Sequence, residues 1–192
     1  NITSIGGAHG YTADNLAIGG TITATGRVVS LRSVTPGDSI DLGDAAGGGD
    51  NAANTLELAN IEIDNITSNA IIVGGGAAGA VTVSTDVTPA NTNTLRLVTG
   101  STVTANAGGI IETNLAITAG GAINITDVNT NVATLAVNAA GQTVTFTDAN
   151  GIDIGAVNGV TGITAGAFNL TAGGAVTDTN TLTVSGATTL VA

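Results

Sequence analysis

Along most of the chain, apolar residues alternate with Thr, Asn or Asp, as in Ile61-Glu62-Ile63, Ile123-Asn124-Ile125 and Val144-Thr145-Phe146. A period of two points one set of side chains inward and the other outward on a strand with one buried face. Sustained three-and-four spacing is missing, glycine is scattered throughout and β-branched residues run together. The pattern predicts a nearly all-β chain.

A longer period lies over the short one. Leu95-Arg96-Leu97, Leu115-Ala116-Ile117 and Leu135-Ala136-Val137 recur at intervals of 20 residues. Ile152-Asp153-Ile154, Phe168-Asn169-Leu170 and Leu182-Thr183-Val184 read as later copies at a shortening interval of 17, 16 and 14. A second apolar position follows the first by eight residues, from Leu95 to Val103, Leu115 to Ile123, Ile152 to Val160, Phe168 to Val176 and Leu182 to Leu190; Leu135 leads to Val144, one residue later. Between them stand Gly100, Gly120, Gly121, Gly141, Gly155, Gly173, Gly174 and Gly186, as corners that need positive φ or close backbone approach require. Strand, corner, strand, corner is the plan of one solenoid turn.

Other all-β plans fit less well. An antiparallel sandwich calls for tight hairpin turns, and Asn150-Gly151 and Asn158-Gly159 are the only Asn-Gly pairs. An outer-membrane barrel needs two aromatic girdles, and the chain has three aromatics, Tyr11, Phe146 and Phe168. The expected fold is a right-handed parallel β-helix with coils of about 20 residues stacked about 4.8 Å apart. That gives roughly nine or ten coils and a rod about 45 Å long. In the less regular first half, Leu16-Ile18, Val29-Leu31, Ile40-Leu42, Leu56-Leu58, Ile61-Ile63, Ile71-Val73 and Val81-Val83 read as strand pairs, and Asp44 to Asn54 as a loop leaving the coil. Pro36 and Pro89 fall at expected corners, where a missing donor matters little. Neither a linker nor a cap is evident, so residues 1–192 read as one repeat segment, part of a longer chain or polymer.

Composition narrows the function. Hydrophobic residues make up 43% of the 192 residues and charged residues 9%, with no cysteine. So apolar a chain is not intrinsically disordered, but its core must be built from thin layers of small aliphatic side chains. Fourteen acids face three arginines, Arg27, Arg32 and Arg96, for a net charge of -11. That balance argues against nucleic acid and against an anionic membrane surface. The most apolar stretch, Ile71 to Val83, is broken by four glycines and is too short to cross a bilayer as a helix, and no segment reads as a signal peptide.

The run Val29-Ser30-Leu31-Arg32-Ser33-Val34-Thr35-Pro36-Gly37-Asp38-Ser39-Ile40-Asp41-Leu42-Gly43, with Leu56-Glu57-Leu58, Ile71-Ile72-Val73-Gly74, Gly173-Gly174-Ala175-Val176 and Leu182-Thr183-Val184-Ser185-Gly186, resembles the repetitive region of filamentous-haemagglutinin-like bacterial adhesins and related β-strand-repeat exoproteins. The resemblance covers most of the chain and is one of composition and style. It implies a right-handed parallel β-helix, export across an outer membrane by a dedicated partner, and a place at the bacterial cell surface or outside the cell.

Candidate chemistry is sparse. His9 is the only histidine, so a nucleophile–base pair has a single partner to draw on; an Ala-His-Gly loop is the plainer reading. Asp41, Asp44, Glu62 and Asp64 are the carboxylates whose spacing suits a polysaccharide-acting β-helix enzyme, but no lysine accompanies them. Asp38, Asp41, Asp44 and Asp50 fall within thirteen residues among glycines; hard oxygens on such a loop suit calcium, although neither a calcium nonapeptide nor an EF-hand pattern is present and a solvated acidic loop is the plainer reading. Thr-x-Thr patterns at Thr21-Thr23, Thr102-Thr104, Thr143-Thr147 and Thr181-Thr183 suit an ordered surface only if they share one face, and their changing offset from the Leu-x-Leu unit argues that they do not. Asn-x-Thr sequons begin at Asn1, Asn65, Asn124 and Asn169.

Together these features predict a structural or adhesive extracellular filament segment without catalytic activity or resident cofactor, calcium apart. Its expected partners are further copies of itself or surface glycans and proteins, not nucleic acid, and it does not span a membrane. A homopolymeric sheath, matrix or S-layer-like subunit stacking end to end is the alternative.

Overall fold

A computed structural model describes residues 2–3, 7–44 and 52–192. Among the described residues, seventeen strands form one sheet, and every ladder in it is parallel. The sheet winds around a single core as a β-solenoid of about nine turns.

Two walls carry the apolar columns. On the first, Val29, Ile71, Leu95, Leu115, Leu135 and Ile154 lie one above the next, beside Leu31, Val73, Leu97, Ile117, Val137 and Ile163. On the second, Ile40, Val81, Val103, Ile123, Val144 and Phe168 run beside Leu42, Val83, Ala105, Ile125, Phe146 and Leu170. All of these side chains are buried. A third wall is shorter, with Ile22 on Ile66 and Ile111-Glu112 on Asn131-Val132.

The corner between the first two walls needs glycine because backbone stacks on backbone there. A Cβ on Gly100 would stand 2.5 Å from the carbonyl oxygen of Gly76, and one on Gly186 would stand 2.6 Å from that of Gly166. Gly141 occupies the same corner, where the 18-residue strand Asn131–Asp148 shifts register between Ala139 and Thr143. Its φ of 75° is the left-handed conformation that glycine adopts freely.

The shortening interval in the second half is a change of wall. Phe168 pairs with Val144 and Leu170 with Phe146, on the second wall, whereas Leu182 pairs with Ile163 on the first. Ile154, not Ile152, lies under Leu135. The cause is an outward excursion between Gly155 and Gly162, which replaces the single outward residue expected there. Its strands Ala156–Val157 and Val160–Thr161 form an antiparallel hairpin around Asn158-Gly159, both with positive φ (45° and 83°), as the favoured two-residue turn demands. Val160 therefore belongs to the hairpin and not to a second wall. The Gly162 N–H donates to the Gly155 carbonyl (2.7 Å), closing the base. Val157 and Val160 fold back onto Ala116 and Ala136, and Arg96 Nη1 donates to the Asn158 carbonyl (2.8 Å).

The first half is irregular for a related reason. Residues 13–21 cross from the first coil without forming a strand, so Leu16-Ile18 is loop. Thr55–Ala59 fills the space this leaves, pairing with one edge of Ser39–Gly43 while Val81–Val83 takes the other. Ile61-Ile63, expected as strand, lies in the short helix Asn60–Asp64. Only Ile63 is buried, and Ile61 is 73% exposed. Glu62 decides the matter by accepting hydrogen bonds from the backbone N–H of Ala59 (3.0 Å) and Ile18 (2.6 Å), which closes the helical turn and pins the crossing loop.

Leu115→Ala should lower stability by about 2–5 kcal/mol, the range for a truncated, fully buried leucine. Ile61→Thr should change it by less than about 0.5 kcal/mol. Equal shifts in urea unfolding would contradict the assignment of inward columns. Gly100→Ala should cost about 1–3 kcal/mol, because the neighbouring coil must move aside; an unchanged thermal midpoint would mean that the corner has room.

Candidate functional site

The acidic residues divide among separate tasks. Asp14 Oδ1 accepts from the N–H groups of Val34 (2.6 Å) and Thr35 (2.8 Å), and Oδ2 accepts from the Thr35 hydroxyl (2.8 Å). These bonds, the Thr35 N–H foremost, hold its carboxyl below the usual range. Asp38 faces Asp14; burial and then that neighbouring charge push its carboxyl up. Asp41 points outward from Ser39–Gly43, beside Glu57 in the adjoining strand. Burial raises its carboxyl, a bond from Ser84 opposes this, and the charges of Asp44 and Glu57 add to the rise. Asp44 sits at the strand end with φ 41°, and Asp50 lies outside the described residues. Thus Asp41 and Asp44 come together, while Asp38 pairs with Asp14 instead. Among the described residues, no group of three or more His, Cys, Asp or Glu side chains is placed to hold a metal ion.

Of the four carboxylates suggested for catalysis, Glu62 and Asp64 are engaged with backbone N–H groups. Glu62 holds Ala59 and Ile18, and Asp64 Oδ1 accepts from the Ala90 N–H (2.9 Å). His9 lies on the strand His9–Thr12, not in a loop. It pairs with Val29 and Tyr11 with Leu31, so both rings take inward-column positions, stacked with centroids 6.5 Å apart. Tyr11 packs against the core.

The threonines are better ordered than the sequence suggests. Thr82, Thr104, Asn124, Thr145, Asn169 and Thr189 form one outward column over six successive coils of the second wall. Thr23 and Thr183 lie on other walls, paired with Thr67 and Thr164. Two sequon asparagines, Asn124 and Asn169, belong to the column; Asn65 instead donates its side-chain N–H to the Ile18 carbonyl (2.8 Å).

A polar groove stands out on another side. Two hollows of about 400 and 350 Å³ meet along Ala90, Thr92 and Asn93. One is lined further by Ile111, Glu112, Thr113 and Asn131, the other by Ser68, Asn69, Asn91 and Asn114. Asn114 Nδ2 donates to the Asn93 carbonyl (2.8 Å), and Asn91 Nδ2 donates to that of Asp64 (2.7 Å), so the floor is fixed by amides bonded between turns. Glu112 is the exceptional member. It occupies the register of Val132 in the next coil and is 8% exposed. Oε1 accepts from the Thr113 N–H (2.6 Å), and Oε2 has no partner. Burial pushes its carboxyl up to about 7, against the partial opposition of the Thr113 bond. At neutral pH it thus divides between a neutral acid, which can donate a proton, and a carboxylate. Sequence inspection missed this residue, although the 20-residue period would have placed an acid at 112 against a valine at 132.

Compared with protein-family models, curated proteins and solved structures, the chain matches none.

The raised carboxyl of Glu112 has a definite consequence for stability. Below pH 4.5 the group is protonated in folded and unfolded chains alike; between about 4.5 and 7 only the unfolded chain releases the proton, so stability falls as pH rises. Glu112→Gln should remove this slope and raise stability at pH 8 by about 1 kcal/mol, below the full linkage value because the groove admits water. Parallel pH–stability curves for the two proteins would show that the carboxyl is not raised.

Proposed function

We propose that the chain is a shaft segment of an extracellular or cell-surface filament, structural and adhesive, without catalytic activity. The observation that carries this reading is the continuity of the inward columns. They pass from Val29 to Ile163 on the first wall and from Ile40 to Phe168 on the second without a polar interruption. The hairpin, by contrast, is held wholly outside them. Such a rod holds outward side chains at fixed spacing and tolerates additions on its surface, which suits presentation to other copies or to surface glycans and proteins. The engagement of Glu62 and Asp64 with backbone N–H groups supports a non-catalytic reading.

A second reading, an end-to-end homopolymer of sheath, matrix or S-layer-like type, draws on the parallel ladders that join coil to coil throughout the sheet. Strand addition between copies would repeat that same contact.

Electron microscopy across a concentration series, with calcium and with chelator, tests both readings. Separate short rods are expected for a shaft segment. Long filaments would promote the homopolymer, and compact globules would overturn both. Thermal unfolding under the same two conditions decides whether Asp41 and Asp44 take part in binding calcium.

A further inference from the structure

The groove beside Glu112 has the chemistry of a ligand site. Its side chains are amides, hydroxyls and one carboxyl, set among the small apolar groups of Pro89, Ala90 and Ala133. Neither arginine nor lysine lines it, and with a net charge of -11 on the chain an anionic ligand would be repelled. A single carboxyl is a poor cage for a divalent cation, which takes six or more oxygens. Amides and hydroxyls each donate and accept, and so does a neutral carboxyl; a sugar hydroxyl does the same. The apolar groups offer patches for the C–H faces of a sugar ring.

Glu112 supplies the independent sign that something is missing. A buried polar atom without a partner is unusual and costly, yet Oε2 has none, in a residue that lines the hollow and is 8% exposed. Its carboxyl is held by one bond, from the adjacent Thr113 N–H, and the covered Oε2 has to turn outward to meet a hydroxyl in the groove. The site is also extended. Asn69, Asn93, Asn114 and Ala133 come from four successive turns, which span about 14 Å along the rod.

We infer that this groove binds an uncharged linear oligosaccharide lying along the rod axis, with Glu112, Asn93 and Asn131 as its hydrogen-bonding residues. The inference deepens the adhesive side of the proposed function, but the site needs no assembly of rods.

Calorimetric titration of the full chain with a panel of neutral linear oligosaccharides, acidic oligosaccharides and calcium alone tests it. A neutral member of the panel should bind. Asn93→Ala with Asn131→Ala should weaken that binding at least tenfold without moving the thermal midpoint, and Thr189→Ala, on the second wall, should leave it unchanged. Glu112→Gln, which keeps a donor and an acceptor, should still bind, whereas Glu112→Ala should not. Binding of calcium or of acidic sugars alone, binding indifferent to the paired asparagine substitution, or no binding by a correctly folded rod would each overturn the proposal. Rods seen by electron microscopy alongside such a failure would leave the shaft reading standing, so the two can fail separately.

Discussion

Everything in this molecule depends on superposition of one coil on the next. Parallel hydrogen bonds between coils fix a spacing near 4.8 Å, and every residue must then be compatible with the residue directly above and below it. Along the walls this means columns of aliphatic side chains of similar width, such as Leu95, Leu115 and Leu135. At the corners it means backbone against backbone, which is why Gly76 and Gly100 stand together, and Gly166 and Gly186 likewise. Small aliphatic residues suit this plan well. Phe146 and Phe168 fit because they lie in adjacent coils and neighbouring columns of the second wall, not one on the other.

The same constraint decides where irregularity is tolerated. Additional residues have to leave outward and return to the position they left, as the closed base between Gly155 and Gly162 shows. A missing strand has to be replaced from elsewhere, as Thr55–Ala59 does for the coil whose chain crosses by residues 13–21. Polar side chains support both repairs. Glu62 and Asn65 fasten the crossing loop through Ile18, and Arg96 fastens the hairpin.

Much of the fold was legible in the sequence because the period of two and the period of 20 are direct images of inward pointing and stacking. The three regular units at Leu95, Leu115 and Leu135 gave the register correctly. Counting failed after Leu135, since a hairpin of eight residues resets the phase and an apolar pair looks alike on either wall. It failed again at Ile61, where alternation over three residues cannot tell strand from a helical turn, and long-range bonds to Glu62 settle the outcome. The groove was less legible still. Its members, from Ser68 to Asn131, are ordinary turn residues one by one, and only stacking puts them side by side. The acidic run was visible, but spacing alone could not show that Asp38 turns to Asp14 while Asp41 meets Asp44.

The hairpin changes how the rod comes apart. In a solenoid each repeat touches only its immediate neighbours, so unfolding can fray from either end one repeat at a time. Here Asn158 reaches Arg96, 62 residues earlier, and Val157 and Val160 rest on Ala116 and Ala136 in the intervening coils. Four coils are thereby bound into one cooperative block in the middle of an otherwise one-dimensional object. Fraying that enters from either end meets a segment that must be lost together or not at all.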